Sequence, residues 1–228
     1  MAFSRKILSS DLLDEKALTS NMVGIGMNFT AAGTDSPNIE DTLLQASIEG
    51  VEQEDLRTLS ILTTWLGVHF ACINVDRLYH VVLNHPSIRL RAYWASVAKW
   101  LAKDRRFAKM ANVYKGPAIE LLSVGTAFQI QRFGEDPRFV GAPLQVPAHT
   151  LRDRKADVRT PSQLVLTHRA YRWRTIIGPS YRADMWAELE KNTETSVADL
   201  ARRAYGSFAT AWRVRKDWSV LHPRALSQ

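Results

Sequence analysis

The chain has a single cysteine in 228 residues, so no internal disulfide can form. That residue, Cys72, lies in the apolar run WLGVHFACI, where a buried small side chain is expected rather than a nucleophile. Histidines are few and scattered (69, 80, 85, 149, 168 and 222), with no HxxxH and no Cys/His cluster, so the spacing of a zinc site is missing. A nucleophile elbow and a P-loop are also missing. No apolar run approaches the roughly 18 to 20 residues needed to cross a bilayer. The start, MAFSRKILSSDLLDEKAL, meets acidic residues before any uninterrupted apolar stretch, unlike a secretory signal. Taken together, these features lead us to expect a cytoplasmic protein with no membrane segment, no metal, no cofactor and no enzymatic role.

Acidic residues are scarce beyond position 60. Residues 1–60 carry 4 Lys/Arg against 10 Asp/Glu, residues 61–150 carry 11 against 5, and residues 151–228 carry 15 against 8. The formal charge of +7 therefore sits on the last three quarters of the chain, which favours a polyanion-facing surface there. Lysine is scarce too in the last third, at 3 against 12 arginines, and arginine suits bidentate contact with phosphate or base edges.

What is present is helical periodicity. A short helix is expected around SSDLLDEKAL, followed by the loop-like VGIGMNFTAAGTDSPN, so residues 1–37 read as a flexible N-terminal segment. Asn38 opens a helix with Leu43, Leu44 and Ile48 on its apolar face. A second, over 53–69, buries Leu56, Leu59, Ile61, Leu62, Trp65 and Leu66, and a third runs over 74–83. Pro86 stops the third, and Ser87 caps SIRLRAYWASVAKWLAK, with Leu90, Tyr93, Trp94, Val97 and Leu101 inward. AIELLSVGTAFQIQRF reads as one further helix with a weak glycine. Residues 38–133 thus form a helical domain, expected to dimerise or to bind a protein partner. Residues 134–161, with four prolines and two glycines, read as a linker or as extended chain draped over that domain, with one short strand in PLQVPAHTL. Thr160-Pro161-Ser162 opens a helix expected to run to about Trp173. In HRAYRWR an aromatic core edge with an arginine rim is favoured over a base-stacking loop, and Glu135-Asp136-Pro137-Arg138 reads as a turn with a solvated or arginine-paired acid.

Residues 181–218 divide into three short helices, YRADMWAELEK, VADLARRA after the cap Thr195-Ser196, and FATAWRVRKDW after the cap Ser207. Leu200, the small Ala201, Ala204 one turn later, a tight turn, then Ala211 and Val214 follow without insertion or deletion. Over about residues 181–220 this spacing resembles the helix-turn-helix pattern of DNA-binding proteins, winged-helix modules included. Ser207 stands where that family usually caps its recognition helix. One departure concerns the turn, where the family often has glycine at the position of Tyr205, a site of positive φ, whereas here the glycine is Gly206. The ten residues after Trp218 are too few for a two-stranded wing, so a plain tri-helical module or a one-stranded wing is expected.

The resemblance implies a mainly α protein, an N-terminal helical domain with a C-terminal helix-turn-helix module in residues 162–228. It also implies double-stranded DNA as partner and transcriptional regulation as role. Ala209, Thr210, Arg213 and Lys216 fall away from the apolar stripe Ala211, Val214, Trp218 and from its edge Phe208, Trp212. Arg213 suits a guanine edge, and Ser207, Thr210 and Lys216 suit phosphates or a thymine methyl. Arg202 and Arg203 on the preceding helix suit the DNA backbone. The alternative is an accessory subunit of a nucleic-acid-handling assembly, its C-terminal helices docked on a protein. Exposed Arg213 and Lys216 favour DNA, whereas an exposed Phe208–Trp212 patch favours a protein partner.

Overall fold

The computed structural model describes residues 13–223 and is mainly helical. Among them are eleven α-helices, and most begin at a side chain that accepts a hydrogen bond from the first turn. Asp14 caps α1 (Glu15–Gly24), Asn38 caps α2 (Ile39–Glu52), Asp55 caps α3 (Leu56–His69), Asn74 caps α4 (Val75–Asn84) and Ser87 caps α5 (Ile88–Trp100). Their apolar faces meet in one core around Leu43, Leu62, Trp65, Tyr93 and Trp94. The buried indoles are satisfied: Trp94 Nε1 donates to Ser47 Oγ at 3.0 Å and Trp65 Nε1 to the Ile25 carbonyl at 2.7 Å.

That last bond corrects the expected flexible segment over 1–37. Leu18, Met22, Ile25 and Met27 are buried in this core, because their apolar spacing continues through the glycines. Met27 pairs with Val158 as an antiparallel bridge, flanked by Asn28 N–H to Asp157 O (2.8 Å) and Arg159 N–H to Gly26 O (2.8 Å). The remainder of that segment, residues 1–12, lies outside the described residues.

The 134–161 stretch is draped chain and not a linker. Its prolines prevent helix, yet Phe139, Leu144, Val146, Leu151 and Val158 are buried in the same core. The single helix expected over 118–133 is instead a two-residue strand β1 (Ile119–Glu120), a bend, and α6 (Thr126–Phe133). Gly125 is the reason, since it precedes α6 at φ 83, a left-handed geometry that no helix interior contains. β1 pairs in parallel with β2 (Leu144–Gln145), with Ile119 opposite Leu144. Asp136 accepts from Arg138 Nε and Nη2, at 2.9 and 2.6 Å through its two oxygens, and Arg138 reaches the Leu151 carbonyl as well. The GEDPR loop is thus a turn with an arginine-paired acid.

The helix expected from Thr160 to Trp173 is broken. α7 (Pro161–Thr167) starts on a Thr160/Gln163 capping box, and His168 then adopts φ −128, ψ 106 and caps α8 (Arg169–Ile177). Leu164 and Tyr171 still belong to the first core, whereas Trp173 packs against a second one. The expected boundary at 161 therefore moves into α8, and the second core is built by α9 (Tyr181–Lys191), α10 (Val197–Arg203) and α11 (Phe208–Leu221). It holds Met185, Trp186, Leu189, Leu200, Ala204, Ala211, Val214 and Trp218, with Trp186 between Trp173 (ring centroids 5.1 Å apart) and Trp218 (5.3 Å).

Candidate nucleic-acid interface

The two cores are joined by charge, and this junction orients α10 and α11. Arg174 was expected in an exposed arginine rim, but it is buried. Its guanidinium donates to Glu40 of α2 (2.6 and 2.8 Å) and to Asp184 of α9 (2.8 and 3.0 Å). Burial opposes the charge on both acids. At Glu40 the Arg174 charge overcomes it and holds the carboxyl below its ordinary range, whereas burial leaves Asp184 above its own. The other arginines of HRAYRWR are paired at the rim, Arg169 with Asp35 and Arg172 with Glu190.

A second link runs through the turn between α10 and α11. Tyr205 adopts φ 56, the left-handed region where the related pattern often has glycine. The side chain explains its retention there, because Tyr205 Oη donates to Asp41 Oδ2 at 2.7 Å and the Arg77 guanidinium lies 3.3 Å above its ring. Arg77 also pairs with Asp41. Gly206 follows because a Cβ there would run into Met185 Cε and lie 3.2 Å from Tyr181 Cβ on α9. The turn thus trades the usual glycine for a docked tyrosine, and the next residue becomes glycine for space.

α11 begins at Ser207, whose Oγ accepts the Thr210 N–H at 3.1 Å and pairs with Thr210 Oγ1 at 2.9 Å. These two hydroxyls, expected at phosphates, are therefore engaged with each other at the cap. Ala211, Val214 and Trp218 face the core. A rise of about 100° per residue puts Ala209, Trp212, Arg213, Lys216 and Val220 on the opposite side. Ala209, Arg213 and Lys216 are exposed, and neither cation has a carboxylate partner among the described residues. Arg202 and Arg203 are exposed on α10 but partly engaged, Arg202 with Asp199 at 2.7 Å and Arg203 near Glu188 at 3.6 Å.

The sequence left two places open for the aromatics, an apolar edge of the core stripe or an exposed patch. Phe208 and Trp212, assigned to an apolar edge beside the core stripe, are 60% and 53% exposed. Lys216 Nζ lies 5.6 Å from the Trp212 ring, so the aromatic and basic residues share one surface. The helical wheel contained this signal, because Trp212 falls well away from Ala211, Val214 and Trp218. A further basic cluster, Lys103, Arg105, Arg106 and Lys109, is partly structural, since Arg106 pairs with Asp104 and donates to the Ile73 and Phe70 carbonyls.

No family model, curated protein or solved structure matches this chain.

Proposed function

We propose that the chain binds double-stranded DNA with the outward face of α11 and acts as a regulator of transcription. The observation that carries this is the exposure of Arg213 and Lys216, unpaired with any acid among the described residues, on a helix packed through its opposite face. Arg213 reads a base edge, and Ala209 allows close approach of the helix to the groove. Lys216, with Arg202 and Arg203 from α10, anchors phosphates.

Fluorescence anisotropy of a labelled duplex at two salt concentrations tests it. Affinity is expected to fall steeply with salt, and the Arg213→Ala/Lys216→Ala variant is expected to bind at least about tenfold more weakly, with a shallower salt dependence. Undiminished binding in that variant would move the contact elsewhere, and no binding at low salt would sink the proposal.

The exposed Phe208 and Trp212 favour a second reading, in which the same helix docks a protein within a nucleic-acid-handling assembly. The two readings separate through Phe208→Ala/Trp212→Ala. Under the DNA reading this variant keeps the salt-dependent binding that the double cation variant loses. Under the docking reading neither variant changes DNA affinity.

A further inference from the structure

A cleft of about 520 Å³ opens on the first core, beside α3 and α6, within the size range of small-molecule sites. Its lining carries the guanidiniums of Arg57, Arg152 and Arg154 and the imidazole of His149, and it contains no aspartate or glutamate. Arg57 and Arg152 are exposed and have no ion-pair partner among the described residues. Arg154 has its nearest carboxylate, Asp157, at 3.6 Å, and its Nε–H is buried without a hydrogen-bond partner. His149 stands at the rim with φ 65, a left-handed geometry that is costly for a side chain of this kind and recurs at ligand sites.

The rest of the lining mixes the polar Ser60, Gln129 and Thr150 with apolar side chains. Leu122 and Phe133 lie in the wall, and Phe133 is 55% exposed at the end of α6. A larger cleft of about 950 Å³ continues past Phe133, His149 and Arg152, but there Glu135, Asp136 and Asp153 join the lining. Arg138, Arg152 and Lys155 balance these acids, so the excess of positive charge lies in the first cleft.

We infer that this cleft binds a small phosphate monoester with a flat apolar body, of the size of a nucleoside monophosphate. Three guanidiniums and an imidazole exceed what one carboxylate can satisfy, whereas a phosphate offers three oxygens and up to two charges. Phe133 supplies the surface for the flat body. The site uses residues of the first core only, so it stands whether or not α11 binds DNA.

Isothermal titration at low salt with phenyl phosphate, adenosine 5′-monophosphate, inorganic phosphate and adenosine tests the inference. Both esters are expected to bind more tightly than inorganic phosphate, and adenosine is expected not to bind. Arg57→Ala and Arg152→Ala are each expected to weaken ester binding about tenfold. Both side chains are exposed, so the unliganded variants are expected to melt like the wild type. Phe133→Ala should weaken the esters and leave inorganic phosphate unchanged. The inference is overturned if neither ester binds at millimolar concentration, if the arginine variants bind as the wild type does, or if inorganic phosphate binds as tightly as the esters.

Discussion

At the scale of single residues, the chain repeatedly keeps polar side chains in the interior and satisfies them with specific partners. His69 and His168 show this best. His69 lies between Tyr171 Oη (2.8 Å from Nδ1) and the Arg159 carbonyl (2.9 Å from Nε2), and His168 between the Tyr171 N–H and the Pro37 carbonyl (2.9 Å). Since a carbonyl only accepts, Nε2 carries the hydrogen in both rings, and at His168 the Tyr171 N–H makes Nδ1 an acceptor and the ring neutral. Burial pushes each pKa from 6.5 down to about 4. A depressed histidine binds its proton less well folded than unfolded, so stability is flat above pH 6.5 and falls as pH drops from there toward 4. The loss can reach about 3 kcal/mol per histidine. Urea titrations at pH 7, 6, 5 and 4.5 should show it, and His168→Gln should flatten that pH dependence. Tyr205 gives a second expectation at this scale. Tyr205→Phe removes the donor to Asp41, whose carboxyl burial already pushes up, and should cost about 1.5 to 3 kcal/mol. Tyr205→Gly relieves the left-handed backbone by about 1 kcal/mol but loses the ring over Arg77 as well, so it should also destabilise. A Tyr205→Gly protein more stable than wild type in urea would refute this account of the turn.

At the scale of elements, caps decide where helices begin and glycines decide where they cannot pass. The starts of α2, α4, α5, α9 and α11 were legible because Asn38, Asn74, Ser87, Ser180 and Ser207 are short polar side chains ahead of apolar periodicity. The break at His168 was not, since a histidine held by the Pro37 carbonyl depends on a neighbour distant in sequence, and Gly125, at φ 83, reads from the sequence only as a weak position within a helix. Ser207→Ala is expected to cost about 1 kcal/mol and Ser207→Gly only a few tenths, read as a shift of the thermal midpoint. Equal effects from both would mean that the Ser207 hydroxyl is not the stabilising group. The outward face of α11 was legible in part, with Arg213 and Lys216 placed by the wheel, whereas only the structure decided between an apolar edge and an exposed patch for Phe208 and Trp212.

At the scale of the whole molecule, two apolar cores share one buried ionic junction. Arg174 reaches Glu40 in one half and Asp184 in the other, and both carboxylates depend on it for compensation. Arg174→Leu leaves two buried acids facing each other and should cost about 3 to 5 kcal/mol. It should also loosen the coupling between the halves. The wild type is expected to unfold in one transition. In the variant, loss of the Trp173–Trp186–Trp218 cluster should precede loss of helical signal from the larger core, read by tryptophan fluorescence against circular dichroism. Coincident transitions in Arg174→Leu would show that the junction does not couple the cores.

The sequence by itself determined the helical class, most helix starts, the apolar stripes of α3, α5, α9 and α11, and a basic excess beyond residue 60. Each of these is set by spacing along the chain and by the chemistry of one side chain at a time. Tertiary structure alone decided that residues 15–29 and 134–161 complete the first core, that the boundary falls inside α8, and that Arg174 and Tyr205 join the halves. It also brought Arg57 together with Arg152 and Arg154 in one cleft. In these cases the partner is up to 164 residues away, and a buried charge or a left-handed tyrosine becomes tolerable only once that partner is in place.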